Sequence, residues 1–431
     1  VYDSYRVAVH GSPTIKPEGN GFMRVKTATI LTAVLLLASG AWAGTEKVLY
    51  NFAGGTDGAS PYDTGALVRD GAGNFYGTTY QGGSCGAGTA FEVSSGGEET
   101  VLHNFCLGGD GGYPFGGVIL DSSGNVYGTT EGGGPANGGT VFELKHSPSG
   151  EWSEIVLHSF IGPEGKGPFD GLIMDADGNL YGTASEGGPY VAFGGVVFEI
   201  SSSGKYSVLY NFCALSNCAD GQLPLGGLSM DEMGNLYGTT SQGGTSNRGT
   251  VFQLSKWGKG WTETVLHSFA GGRSDGTYPL YASPTLSTRQ VGMKTETVIF
   301  GVTTYGGARN KGTAFEITES EVRESRTSWK FTVLHNFGTR RGGASPYGTL
   351  VNIGGKLFGT AGSNGTSCCG TVFQLTQKNH TWVETVLYNF MGSDDGGYPY
   401  SGVAADSDGN LYGVADIGGS GTWGVLYKVK P

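Results

Sequence analysis

Charged side chains make up only 15% of this 431-residue chain, and 26 basic residues stand against 37 acidic ones. The resulting formal charge of −11 gives nucleic acid and anionic lipid surfaces no electrostatic hold on it. Cysteine and methionine are scarce, at six each, and no apolar run beyond residue 43 is long enough to span a bilayer. Several chemistries are missing too: there is no HExxH, no cysteine–histidine zinc spacing, no GxSxG elbow and no phosphate-binding glycine loop. Only 15 prolines and no glycine at every third position exclude collagen, while 12% aromatic residues exclude a disordered polar chain.

Glycine is abundant instead, at 81 residues. Combined with so many rings, it predicts an aromatic-rich sheet protein whose glycines serve turns. The segment from Met23 carries Arg24 and Lys26, an apolar stretch and Ala41-Trp42-Ala43, the pattern of a signal peptide (23–43) cleaved after Ala43. Residues 1–22 read as a misassigned upstream segment. The remaining chain, 44–431, reads as one domain that is exported, secreted or periplasmic, with no membrane insertion.

That domain is a repeat array. A phenylalanine closes a short apolar run at Phe52, Phe105, Phe160, Phe212, Phe269, Phe337 and Phe390, a spacing of about 56 residues. An aromatic–glycine pair recurs at Tyr76, Tyr127, Tyr181, Tyr237, Phe300, Phe358 and Tyr412. A third landmark, GTVFEL-like, holds Phe91, Phe142, Phe198, Phe252, Phe315, Phe373 and Tyr427. Each unit divides into four strand-like pieces separated by turns such as those at Asp70, Asp121, Asp231 and Asp406. Four antiparallel strands at this period predict an all-β, seven-bladed β-propeller, in preference to a parallel β-helix with its shorter coils. The domain starts with a lone fourth-strand motif, KVLYNF, and finishes in a third-strand motif, WGVLYKVK. The N-terminal strand is therefore expected to complete the last blade and close the ring.

The recurring GNFYGTTYQGG, GNVYGTTEGGG and GNLYGTTSQGG, each followed by GTAFEV- or GTVFEL-like and VLHNF- or VLHSF-like runs, resemble the bacterial extracellular gloVer repeat family. The resemblance covers about residues 45–431. It implies export and a tandem-repeat propeller, and it brings no catalytic residues with it.

Within the repeats, His103, His158, His267 and His335 occupy a position that Tyr50, Tyr210 and Tyr388 take elsewhere, which marks it as a structural hydrogen-bonding position. Cys106, Cys213 and Cys218 fall in connections between blades, and Cys85, Cys368 and Cys369 in loops between second and third strands. Both loop classes emerge on one rim. Topology favours Cys85–Cys106, Cys213–Cys218 and a vicinal Cys368–Cys369 pair among the 15 possible pairings. The same rim carries Asp57, Asp110, Asp220, Asp275 and Asp395 before glycine, with Tyr62, Tyr113, Tyr278 and Tyr398 close by. Carboxylates accept sugar hydroxyls and rings cover sugar faces, so these nine residues are the expected ligand-binding set. No cofactor is required by the pattern, although calcium fits clustered acids. The expected function is binding of a glycan or an extracellular protein by a monomer, without turnover. The alternatives are a polysaccharide hydrolase or lyase using rim carboxylates, and a structural cell-surface protein.

Overall fold

The aspartate that opens most repeats organises the first hairpin of its blade. Asp121 accepts hydrogen bonds from the amides of Ser123 (2.8 Å) and Asn125 (2.9 Å), the Asn125 side chain (2.7 Å) and the Tyr127 hydroxyl (3.2 Å). One carboxylate thus satisfies a turn and pins the first residues of the next strand. The same arrangement is built on Asp70, Asp175, Asp231 and Asp406. Longer hairpins replace it in the fifth and sixth units, where Thr285–Val291 pairs with Lys294–Thr303 and Val351–Ile353 with Lys356–Ala361.

The structure is a computed structural model that describes residues 44–62, 66–258, 260–320 and 328–431. The expected leader at 23–43 and the segment before it lie outside the described residues. Seven four-stranded antiparallel sheets follow one another as the blades of a propeller. Blade 2 shows the plan, with strands Ile119–Leu120, Val126–Thr130, Thr140–His146 and Trp152–Ser159 paired in chain order. Blade 7 is made from Ala404–Ala405, Leu411–Ala415 and Val425–Lys430, completed by Thr45–Asn51 from the other end of the chain. Thr45 lies opposite Lys430 and Asn51 opposite Val425, as ring closure requires.

Two of the repeated landmarks meet at every blade boundary. The phenylalanine ending one fourth strand packs on the ring in the third strand of the following blade: Phe52, which follows the closing strand, on Phe91, Phe105 on Phe142 and Phe390 on Tyr427, with centroids 4.9–5.1 Å apart. These rings are fully buried. The second strand supplies the space for them. A Cβ on Gly128 would lie 2.5 Å from Phe142 Cζ, and one on Gly182 would lie 2.6 Å from Phe198 Cζ. Glycine is therefore also a packing residue inside strands, beyond the turn role read from composition. Threonines add hydrogen bonds between blades, with Thr129 donating to Asp170 O (2.9 Å) and Thr183 to Gly226 O (3.0 Å).

Candidate functional site

Backbone bridges place the connections between blades beside the loops between second and third strands, as in Ala59 with Gln81, Gly112 with Gly132 and Gly397 with Ile417. One rim therefore carries both loop classes. It also carries the disulfides Cys85–Cys106, Cys213–Cys218 and Cys368–Cys369, in the pairing that topology favoured.

The rim aspartates face the strand that precedes them. Asp57 accepts from the Tyr50 hydroxyl and the Ala53 amide, each at 2.8 Å. Asp220, fully buried, accepts from Tyr210 (2.9 Å) and the amides of Ala214 and Leu215. Asp395 accepts from Tyr388 (2.9 Å) and Met391, and Asp275 from the amides of Ala270 and Gly276 beside His267. These carboxylates hold their own loops, and the nearby rings go elsewhere. Tyr113, Tyr278 and Tyr398 have positive φ (54–58°), and their amides bond to Ala87, Arg248 and Cys369.

A third member completes the group at the boundary: the residue four places before the tyrosine or histidine on the next blade's fourth strand. Where it is glutamate beside a loop aspartate, burial raises its carboxyl, helped by the neighbouring acid. Glu99 near Asp57, Glu154 near Asp110 and Glu46 near Asp395 are each raised to about 7, and Glu263 near Asp220 to about 8. Where it is aromatic, the histidine stacks on it: His158 on Tyr206 and His267 on Phe331, both at 3.8 Å. At the sixth boundary His335 reaches Glu384 at 3.2 Å.

One boundary brings together an imidazole and both carboxylates. His103, Asp110 and Glu154 each direct a donor atom into a group whose members all lie within 4.8 Å of one another. This set could coordinate a metal ion or move protons. It corrects the expectation of a propeller that binds without turnover, because the rim holds an imidazole and two carboxylates together where aspartates were expected only to contact ligand and the histidine only to hold structure. At the other histidine boundaries the imidazole stacks on a ring, as His158 and His267 do, or meets a single carboxylate, as His335 does.

The second cluster sits on the propeller axis. Tyr62, entering blade 1, stacks on Phe115, entering blade 2 (4.9 Å), and on Tyr400, entering blade 7 (5.8 Å). Phe115 in turn touches Tyr281, entering blade 5, at 5.0 Å, and Tyr281 stacks on Tyr347. Blades 2 and 5 are not neighbours in the ring, so this contact crosses the centre. Asp416 lies against these rings. Burial raises its carboxyl to about 6, opposed by a hydrogen bond from Ser60, and its Oδ1 is buried with no partner. Burial also raises the Tyr62 and Tyr400 hydroxyls, with the Asp416 charge adding to the effect. A second acid, Glu131, accepts from the Tyr80 hydroxyl at 3.2 Å, and Tyr80 packs edge-on against Tyr62 (5.5 Å). Asp416, Glu131, Tyr80 and Tyr281 were not among the residues singled out from the sequence. The available signal was one column: the residue following the second strand is Tyr80, Glu131, Ser185, Ser241, Thr304, Gly362 or Asp416, an irregular position in an otherwise strict repeat.

The Gloeobacter/Verrucomicrobia repeat model matches residues 38–155, 64–298 and 282–431, and the chain belongs to this family of tandem-repeat proteins. No curated protein sequence matches it. Among solved structures it is similar to a soluble aldose sugar dehydrogenase from Escherichia coli, at 14% identity over 90% of this chain and 99% of that one, with a TM-score of 0.43. A protein of unknown function from Dyadobacter fermentans gives 13% identity, 89% and 98% coverage and 0.43. The Trypanosoma rangeli sialidase gives 10%, 80% and 58%, and 0.38. Likenesses this distant carry no argument about chemistry. Among the described residues no helix is long and apolar enough to cross a membrane.

Proposed function

We propose that this chain is an exported hydrolase of a neutral polysaccharide, acting at the axial end of the rim, with Asp416 as proton donor and Glu131 as the second carboxylate. The observation that carries the reading is Asp416 itself: a mostly buried carboxyl raised to about 6, with an unpartnered oxygen, among half-buried aromatic rings. Glycoside cleavage needs one carboxyl that keeps its proton and a second that is ionised. Asp416 has the apolar setting that retains a proton. Glu131 is held by the Tyr80 hydroxyl, which donates to it at 3.2 Å.

The half-buried rings of Tyr62, Phe115, Tyr347 and Tyr400 supply apolar surface of the kind that packs against a sugar. Of the residues expected to touch ligand, Tyr62, Tyr113 and Tyr398 border this floor, since Tyr113 lies 5.3 Å from Tyr80 and Tyr398 stacks on Tyr400. Elimination from a polyuronate is the weaker reading, because such a substrate is anionic and the chain carries −11. Three disulfides support an oxidising compartment, secreted or periplasmic.

The test is release of reducing ends from a panel of neutral plant and bacterial polysaccharides by residues 44–431. Asp416→Asn should lower the rate at least 100-fold with unchanged thermal unfolding, and the wild-type rate should fall as pH rises above about 6, where Asp416 loses its proton. Activity that survives Asp416→Asn, or a panel left intact, would overturn the proposal.

A further inference from the structure

We infer that His103, Asp110 and Glu154 form a site for one first-row divalent cation of the zinc type, clamping blade 1 to blade 2. The three positions recur at every blade boundary, so the other copies serve as controls within the same molecule. Where tyrosine replaces histidine, its hydroxyl donates straight to the loop aspartate, at 2.8 Å for Tyr50 and 2.9 Å for Tyr210. Where histidine lacks the glutamate, it closes on its acid: His267 Nε2 lies 3.1 Å from Asp275.

The His103 boundary is the one, among the described residues, where histidine, loop aspartate and glutamate occur together. Nε2 stands 3.5 Å from Asp110 Oδ2 and 3.8 Å from Glu154 Oε2, too far for hydrogen bonds. His103 Nε2 and Glu154 Oε1 are both buried without a partner. The Glu154 side chain is only 10% exposed, so its unpaired oxygen is not turned to water. Buried unpaired oxygens also occur on the equivalent Glu46, Glu99 and Glu263, and His158 and His335 likewise leave Nε2 unpaired, but only here, among the described residues, do an unpaired imidazole and an unpaired carboxylate oxygen meet in a group of three donors.

The spacing is that of a ligand set. A tetrahedral ion with bonds of about 2.0–2.1 Å holds neighbouring donors about 3.4 Å apart. The two histidine–carboxylate separations sit just outside that value, and all three donor atoms lie within 4.8 Å of one another, within reach of side-chain adjustment. Imidazole with two carboxylates suits a first-row ion, whereas calcium takes six to eight oxygens and gains little from nitrogen. The surroundings are preset: the Cys106 amide donates to Asp110 Oδ2 at 3.2 Å, and Cys106 is tied to Cys85 by the disulfide. The donors come from the fourth strand of blade 1, the following loop and the fourth strand of blade 2, so one ion would join three segments.

The inference is independent of the axial hydrolase reading, since neither Asp416 nor Glu131 takes part. It is tested with untagged residues 44–431, stripped with EDTA and titrated calorimetrically with zinc chloride and, separately, calcium chloride. One equivalent of zinc should bind and raise the unfolding temperature. His103→Tyr recreates the Tyr50–Asp57–Glu99 arrangement, so it should fold normally and lose the zinc equivalent, while His267→Ala should keep it. Cobalt(II) should give a low-coordinate visible spectrum in the wild type and not in His103→Tyr. Zinc binding unchanged in His103→Tyr, absent from the wild type, or replaced by calcium binding alone would overturn the inference.

Discussion

Asn51 Oδ1 accepts a hydrogen bond from the amide of Ser420 at 2.9 Å, joining positions 369 residues apart. The equivalent asparagines do the same within single blades: Asn104 accepts from Ser84 at 2.7 Å and Asn389 from Thr366 at 2.9 Å. The closing strand therefore repeats the contacts of an ordinary fourth strand and is held by the same chemistry. Deleting residues 44–51 should leave Val425–Lys430 as an open edge, producing concentration-dependent association in analytical ultracentrifugation. A synthetic peptide spanning residues 44–53 should restore the monomer.

The Gly128–Phe142 fit makes a paired prediction. Gly128→Ala should cost about 1–3 kcal/mol through overpacking, and Phe142→Ala about 3–5 kcal/mol through the cavity it leaves. In the double variant the new methyl enters the vacated space, so the costs should sum to less than the separate values. Urea unfolding of the four proteins measures this coupling, and strict additivity would contradict the contact.

Asp121 holds its turn through four hydrogen bonds. Asp121→Ala should destabilise the protein by about 1–3 kcal/mol. Asp110→Ala, in the loop entering the same blade, keeps that turn and should leave the first hairpin of blade 2 with normal amide exchange, whereas Asp121→Ala should accelerate it.

Stability should fall at both ends of the pH scale, for opposite reasons. At Asp406, desolvation is outweighed by hydrogen bonds from Asn410, Tyr412 and Asp408, which bring the carboxyl down to about 2. Its contribution is present above the ordinary carboxylate value of 3.8 and is lost as pH falls toward 2. Burial raises Glu263 to about 8, so the native state holds a proton that the unfolded chain has released. Its contribution is complete below pH 4.5 and disappears as pH climbs to about 8. The unfolding temperature should drift down over that range, and Glu263→Gln should flatten the drift.

Much of this architecture was readable because the same ring falls at the same place seven times, and a repeated ring at strand spacing has few uses other than a repeated core contact. Phe105 and Phe142 could each be identified as landmarks, yet their mutual contact across a blade boundary needed coordinates. Asp110 shows why the site was harder to read. A carboxylate beside glycine and tyrosine looks the same in sequence whether it turns outward to a ligand or back to the Cys106 amide, and loop geometry decides. Glu154 was hidden by distance, being 44 residues from Asp110 and ordinary in its own strand. Asp416 belongs to a column whose identity drifts, where the repeat that exposed the fold offers no guide.

The pairing of Thr45 with Lys430 also sets the order of events as the protein is made. The first strand of the domain to be synthesised has no partner until the last one appears. Six blades can assemble as the chain emerges, each on the one before. The seventh must wait, so the ring stays open throughout synthesis, and its closure is the long-range step that comes after the local ones.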